Sequence, residues 1–183
     1  MSLHEFLDWE ERQERPFEFN GFQPVAMTGG TVAHDRITFN VQKALDLRLA
    51  GSRCRPFGPN VKIVASGRVR YPDAFVSCKP VAPGATLIDD PVVVFEVVSE
   101  DTARTDRIEK LREYQATPSI RQYIILEQKS VGAVVFVREG SAWTAAALAE
   151  GETLSLPAVG IEIPLAELYA GIDFEAGDVT QAT

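Results

Sequence analysis

The stretch Val92-Val93-Val94-Phe95-Glu96-Val97-Val98 decides the fold of this chain. A continuous run of apolar, mostly β-branched residues of this length is typical of a strand that is buried on both faces of a sheet. A glutamate interrupts the run, although a carboxylate is rarely buried without a partner. A bound cation or a basic side chain from a neighbouring helix would satisfy Glu96, and the residues alone leave both possibilities open.

A second carboxylate, Asp73, precedes a shorter apolar run, Ala74-Phe75-Val76-Ser77-Cys78. Pro72 suits the start of a strand, because no ladder donor is required there. Taken alone, a Pro-Asp pair is typical of a turn. If the two strands are neighbours, however, Asp73 and Glu96 point at one place, where a hard cation such as Mg²⁺ could bind one or two carboxylates together with water and phosphate.

The composition is that of one globular domain. The chain has 183 residues, of which 45% are hydrophobic and 24% charged, and a chain of this length buries roughly 70% of the surface that its unfolded form exposes. No stretch approaches the roughly 18 apolar residues of a membrane span, and the acidic N-terminus lacks the pattern of a signal peptide. We therefore expect a cytoplasmic protein with no membrane partner.

The two cysteines, Cys54 and Cys78, have no metal-ligand spacing and lie beside or within apolar, strand-like sequence. In a protein expected in the cytoplasm, this favours buried free thiols over a disulfide.

Charge is distributed unevenly along the chain, whose net charge is −8. Basic residues outnumber acidic ones only in segment 31–80, where Arg53, Arg55, Lys62, Arg68 and Arg70 precede Asp73. A basic face of this kind would attract a polyanion such as DNA. The alternative is that these side chains simply solvate a hairpin.

The remaining pattern predicts an α/β fold, in which a mixed β-sheet is flanked by helices and carries an antiparallel β extension at 133–156. Predicted helices begin near residue 3 and cover 32–50, 102–117 and 164–169, and predicted strands cover 17–27 (a hairpin), 54–57, 61–65, 69–71, 74–77, 92–98, 122–127, 133–138, 142–147 and 153–156. The four strands between 54 and 77 are expected to form a meander, and 80–91 a loop. We expect one domain at 1–173 and a disordered tail at 174–183.

The same residues carry a resemblance to a known family. The features that support it are Pro72-Asp73, Glu96, Phe17-Glu18-Phe19, His34, the spacing Asp106-x-x-x-Lys110-x-x-x-Tyr114 and Leu165-Ala166-Glu167-Leu168-Tyr169. With them the chain resembles, from Glu5 to about Tyr169, the Uma-two group of restriction-endonuclease-like proteins in the PD-(D/E)XK nuclease superfamily. The resemblance implies a restriction-endonuclease-like core, a Mg²⁺ or Mn²⁺ ion, and DNA as the substrate of phosphodiester hydrolysis.

The resemblance also implies roles for particular residues. Asp73 and Glu96, with the backbone carbonyl of Val97, are expected to hold the metal, and Glu18 to complete the site. His34 matches the family as a further candidate, although a histidine near a helix start is commonly a cap or a structural group.

The superfamily motif places a lysine two residues after the glutamate, where this chain has Val98. The resemblance implies that Lys110, on the following helix, takes its catalytic role. Asp106, Lys110 and Tyr114 are spaced by four residues and share one side of that helix. The alternative is an exposed Asp106–Lys110 ion pair, worth a few tenths of a kcal/mol.

Two function classes remain open at this point. The first is a metal-dependent DNA endonuclease, and the second, favoured by Val98, is a non-catalytic nuclease-fold binding or assembly module. With only two histidines and no Gly-x-Ser-x-Gly elbow, P-loop or dinucleotide fingerprint, other hydrolase and nucleotide-binding classes have little support. We also expect a homodimer, because two-fold dimers are the commonest oligomers, with the extension at 133–156 as its interface.

Overall fold

The computed structural model of the chain describes residues 1–27, 29–98 and 104–174, with the backbone alone at 104–106. The helices in these ranges are α1 (Leu3–Glu10), α2 (Val32–Leu49), α3 (Arg104–Ala116) and α4 (Leu165–Leu168). The strands are β1 (Phe17–Phe19), β2 (Pro24–Ala26), β3 (Arg55–Phe57), β4 (Lys62–Ala65), β5 (Arg68–Arg70), β6 (Ala74–Ser77), β7 (Leu87–Ile88), β8 (Pro91–Val98), β9 (Gln122–Glu127), β10 (Gly132–Glu139), β11 (Ala142–Ala149), β12 (Thr153–Leu156) and β13 (Ile161–Pro164).

The larger sheet has six strands in the order β11-β10-β9-β8-β6-β3. Its β8 and β9 are parallel and its other pairs are antiparallel, so the predicted mixed sheet flanked by helices is confirmed. A five-stranded sheet has the order β2-β1-β5-β4-β7, and β12 and β13 form a separate ribbon.

The predicted buried strand, β8, lies inside the six-stranded sheet and separates two clusters of the core. Val93, Phe95 and Val97 pack in the cluster that contains the apolar stripe of α2. Val94 belongs to the cluster on the other face, with Tyr114 of α3. The alternation of side chains along a strand therefore assigns one face of β8 to each helix.

Helix α2 is fixed at both ends. Thr31 caps its N-terminus by accepting a hydrogen bond from the backbone N–H of His34. Near the other end, Arg48 forms a bidentate pair with Glu167 of α4, at 2.9 and 2.6 Å. The Nδ2 atom of Asn40 donates to the carbonyls of Leu168 and Ala170, so α2 and α4 are joined by polar contacts as well as by the core.

The predicted meander is wrong, because its four strands are divided between the two large sheets. Strands β4 and β5 form a hairpin in the five-stranded sheet, whereas β3 and β6 pair with each other beside β8. The expected loop at 80–91 contains β7, which runs parallel to β4. The predicted extension is also divided, since β12 leaves the sheet and pairs with β13.

The prediction of free thiols is also wrong. Cys54 and Cys78 form a disulfide. The cause is the register of β3 and β6, which places Arg55 opposite Ser77 and therefore brings the flanking cysteines together. No sequence pattern indicates this pairing, because the partners are 24 residues apart and lie at the ends of strands that are not consecutive.

At the C-terminal end, Phe174 was expected in a disordered tail, but its ring lies 6.0 Å from that of Tyr169. The rest of that tail, 175–183, lies outside the described residues. In the described ranges, no helix is long and apolar enough to cross a membrane.

Candidate functional site

A cavity of about 990 Å³ lies beside the N-terminal half of α2 and the ends of β6 and β8. Its lining includes backbone or side-chain atoms from the β1–β2 hairpin, the Gly29-Gly30-Thr31 segment and α3. Every predicted site residue except Asp106, whose side chain lies outside the described residues, lines this cavity: Glu18, His34, Asp73, Glu96, Val97 and Lys110.

Asp73 and Glu96 both line this cavity. Ala74, the first residue of β6, lies opposite Phe95 of β8, so Asp73, directly before β6, lies beside the part of β8 that contains Glu96 and Val97. Asp73 and Glu96 are buried, at 9% and 5% exposure, and Oδ2 of Asp73 accepts a hydrogen bond of 2.7 Å from the backbone N–H of Val97.

Glu96 has two side-chain partners on α3. Lys110 Nζ donates to Oε2 of Glu96 at 3.1 Å, and the Tyr114 hydroxyl donates to Oε1 at 2.8 Å. Lys110 is itself only 9% exposed, so it does not lie on a solvated helix face as the alternative interpretation required. The basic partner considered for Glu96 is therefore present, and it is the lysine that the family resemblance selected.

Burial and neighbouring carboxylates disfavour the ionised form of Glu96. Burial raises the pKa of Glu96 to about 7, because a charged carboxylate loses its hydration there. The Lys110 ammonium opposes this shift, while repulsion from Asp73 and Glu18 adds to it. Burial therefore outweighs the attraction of Lys110, and the repulsion from the other two carboxylates acts in the same direction.

His34 binds the other carboxylate. Its Nε2 atom lies 3.0 Å from Oδ1 of Asp73. This hydrogen bond raises the pKa of His34, although burial acts in the opposite direction. Because Thr31 caps α2 directly ahead of His34, the first turn of the helix fixes where the imidazole meets Asp73.

Glu18 lies on β1 at the edge of this group. Its Oε1 atom accepts a hydrogen bond of 3.1 Å from the backbone N–H of Tyr71 and lies 3.8 Å from Lys110 Nζ. Its Oε2 atom accepts a bond of 2.9 Å from Arg70. Glu18 thus contacts the lysine, and its role as a metal ligand stays a prediction.

The predicted basic face is wrong for three of its five residues. Lys62 and Arg70 are buried. Lys62 pairs with Glu10, whereas Arg70 and Arg68 both pair with Glu113. These cations neutralise acids within the fold, so they are not available to a polyanion. The remaining pair, Arg53 and Arg55, is exposed.

Sequence reasoning missed Arg70 and Glu113 as neighbours of the site. A signal was present for Arg70, since it directly precedes Tyr71-Pro72-Asp73. Its partner Glu113 was hidden, because an acidic residue in a helix rich in charge gives no indication of burial.

The carboxylates of the cavity fit a hard divalent cation that takes only one or two of its ligands from the protein. Within 1–27, 29–98 and 104–174, no three His, Cys, Asp or Glu side chains are grouped as metal ligands. Magnesium commonly uses one or two protein carboxylates and completes its shell with water and phosphate oxygens. The raised pKa of Glu96 beside Asp73 and Glu18 is consistent with such an ion, because a cation would offset the repulsion among the three carboxylates.

The fold matches that of a solved structure. A solved structure from Anabaena variabilis, described as "a putative nuclease belonging to DUF820", superimposes with a TM-score of 0.76 at 14% sequence identity, covering 93% of this chain and 98% of that chain. The predicted restriction-endonuclease-like class is therefore confirmed at the level of the fold.

The family follows from the sequence comparison. The model of the Uma2 family, described as "Putative restriction endonuclease", matches residues 3–166. The chain belongs to this family, and the predicted resemblance is confirmed. Two uncharacterized proteins of Synechocystis sp. are similar to it: one is 29% identical over 178 residues, covering 95% of this chain and 94% of the relative, and the other is 26% identical over 133 residues, covering 70% and 75%.

Proposed function

We propose that this chain is a metal-dependent endonuclease that hydrolyses phosphodiester bonds of DNA. The observation that carries the proposal is the contact between Lys110 and Glu96, 3.1 Å apart in a cavity that Asp73 also lines. An ammonium and two carboxylates in one cavity are the groups that phosphodiester hydrolysis requires to bind an ion, orient a water molecule and balance phosphate charge.

Asp73, Glu96 and the backbone carbonyl of Val97 would hold the ion, which we take to be Mg²⁺ or Mn²⁺. Such an ion lowers the pKa of a bound water molecule and neutralises charge on the phosphate. Val97 belongs to this set because its N–H already binds Asp73, which fixes the peptide beside the carboxylate.

Lys110 has the role that the superfamily motif gives to the residue at Val98. Its ammonium lies beside Glu96, where it would orient the attacking water through the water oxygen or bind a non-bridging phosphate oxygen. Tyr114 holds the second oxygen of Glu96, so the carboxylate keeps its orientation when Lys110 engages the substrate.

His34 orients the other carboxylate. With Oδ1 held by His34 and Oδ2 by the Val97 N–H, Asp73 has one defined rotamer. Both oxygens retain a lone pair for an ion, because a carboxylate offers about four acceptor sites.

Nicking of supercoiled plasmid DNA in the presence of Mn²⁺ or Mg²⁺ tests the proposal. Wild-type protein is expected to convert the plasmid to open-circular and linear forms, and Asp73→Asn to leave it supercoiled. The matched control is Asp46→Asn, an exposed aspartate of α2, which should cleave as the wild type does. Wild-type protein that binds Mn²⁺ but cuts no DNA would support the non-catalytic module instead.

A further inference from the structure

Arg70 is a buried arginine that joins two acidic residues from different elements. It is 3% exposed and lies on β5. Its Nε and Nη2 atoms donate to the two oxygens of Glu113, each at 2.7 Å, and its Nη1 atom donates to Glu18 at 2.9 Å. One guanidinium therefore connects α3, through Glu113, to β1, through Glu18.

The link to α3 acts on the turn that carries the site lysine. Glu113 follows Lys110 by three residues, which places both on one side of the helix. Thr117 donates to the Glu113 carbonyl at 2.8 Å, so the end of this helix is hydrogen-bonded around the same residue. A helix held at Glu113 by two parallel hydrogen bonds has little freedom to rotate about its axis.

The link to β1 acts on the carboxylate beside the same lysine. With Oε2 of Glu18 held by Arg70 and Oε1 by the Tyr71 N–H, the orientation of this carboxylate is set at both oxygens. Its Oε1 atom lies 3.8 Å from Lys110 Nζ, while Glu96 lies at 3.1 Å on the other side. Lys110 thus lies between Glu18 of the five-stranded sheet and Glu96 of the six-stranded sheet.

We propose that Arg70 is the positioning residue of the site, which directs the Lys110 ammonium at Glu96 by fixing α3 through Glu113 and the neighbouring carboxylate of Glu18. The role of Lys110 in cleavage rests on the function proposed above, whereas the effect of Arg70 on the position of Lys110 does not. Arg70 is not among the residues that line the cavity, so it acts through Glu18 and Lys110, which are.

An arginine is required for this task. Its planar fork presents donors in fixed directions, whereas a lysine is a single point of charge on a flexible stem. Burial opposes ionisation of Arg70, but its contacts with Glu113 and Glu18 outweigh this and raise its pKa. Lysine at position 70 would keep the charge and lose the three directed contacts.

The test compares Arg70→Lys with the matched control Arg48→Lys. Arg48 also forms a bidentate pair with a glutamate, Glu167, but it joins α2 to α4 away from the cavity. For Arg70→Lys we expect kcat for plasmid cleavage to fall about 10- to 100-fold, with little change in KM. This is the range found for residues that hold the ligating side chains in position. Arg48→Lys should leave kcat unchanged, and circular dichroism at the assay temperature should find both variants folded.

Glu113→Gln is the second variant, because it keeps Arg70 and its contact with Glu18 while weakening the link to α3. It should lower kcat as Arg70→Lys does, and the double variant should add little to either. Unchanged cleavage by Arg70→Lys, or an equal loss in Arg48→Lys, would overturn the proposal.

A crystal structure of Arg70→Lys gives the readout that does not depend on cleavage. The Lys110 Nζ atom should lie beyond hydrogen-bonding distance of Glu96. If it remains within that distance, the positioning role is wrong even where the wild type cuts DNA. If the wild type does not cut DNA but Lys110 has moved, the proposed function fails and the positioning role stands.

Discussion

Lys110 Nζ lies 3.1 Å from Glu96 Oε2, although one residue belongs to a helix and the other to the central strand of the sheet. The strand itself carries Val98 two residues after Glu96, where the superfamily motif has its lysine. The helix therefore brings an ammonium to the carboxylate from the neighbouring layer of the fold, and the site keeps its charge balance without a lysine in the strand.

Lys110→Ala is expected to abolish cleavage while largely retaining Mn²⁺ binding, because the carboxylates and the Val97 carbonyl remain in place. Adding Val98→Lys should not restore full activity, since that side chain would enter a space shaped around valine. Plasmid nicking and calorimetric Mn²⁺ titration measure the two properties, with Lys43→Ala on the exposed face of α2 as control. Cleavage that survives Lys110→Ala would assign Lys110 a structural role.

Glu96→Gln is expected to abolish Mn²⁺ binding and to leave the free energy of unfolding at pH 8 unchanged or higher when no metal is added. The reason is that burial raises the pKa of Glu96 to about 7, so its ionised form is disfavoured in the fold. Calorimetry and thermal unfolding check this, with the exposed Glu150→Gln as control. A large loss of stability with Mn²⁺ binding intact would instead identify a structural salt bridge.

The stability of the α1 attachment should depend on pH through Glu10. Burial opposes ionisation of Glu10, but hydrogen bonds from Lys62 and Tyr71 outweigh it and lower its pKa below the usual 4.5. Its contribution to stability is therefore fully present above pH 4.5 and is lost as the pH falls through the lowered pKa.

The double variant Glu10→Gln with Lys62→Met removes both buried partners. Its free energy of unfolding, measured with denaturant between pH 3 and 7, should accordingly change less with pH than that of the wild type. The exposed Glu14→Gln is the control and should keep the wild-type profile. Parallel profiles for the wild type and the double variant would refute a lowered pKa of Glu10.

Reduction of the Cys54–Cys78 disulfide should lower the free energy of unfolding by about 3.5 kcal/mol, the value expected for closing a loop of this length in the unfolded chain. The variant with both cysteines replaced by serine should be equally destabilised and insensitive to reductant. Thiol labelling of the unfolded, unreduced protein provides a direct check. Two free thiols would restore the original prediction.

We expect self-association through β11, an edge strand of the six-stranded sheet with no charged residue in Ala142–Ala149. Natural edge strands commonly carry charges that prevent pairing with a second copy. Sedimentation should detect a dimer for the wild type and a monomer for Ala146→Lys, while Thr153→Lys on the separate ribbon should remain dimeric. A wild-type monomer at high concentration would exclude this interface.

Local patterns predicted most elements of this fold. The apolar stripe of α2 and the run in β8 set their bounds to within a residue or two, because helical and strand periodicity depend on neighbouring residues alone. Strand pairing was predicted poorly, since the division of β3–β6 between two sheets depends on contacts across the whole chain. The two-residue β7 was missed because a segment so short has no measurable period.

The candidate site was predictable where a residue conflicts with its surroundings. Glu96 stands out because a carboxylate in a valine strand requires a partner, and Asp73 follows from its place at a strand start. For Arg70 the sequence left open an exposed basic face or a solvated hairpin, because a charged residue in a short strand is more often exposed than paired. Only the folded register, with Phe19 opposite Val69, brings Arg70 beside Glu18.

The joining of α2 to α4 has a consequence for biosynthesis. The cavity residues named above lie between Glu18 and Lys110, yet α2, which carries His34, is held against the C-terminal part of the chain by Asn40, which donates to the carbonyls of Leu168 and Ala170. A nascent chain thus presents all of these residues long before the helix that orients His34 can be fixed. A site built this way would be complete only after translation has passed α4.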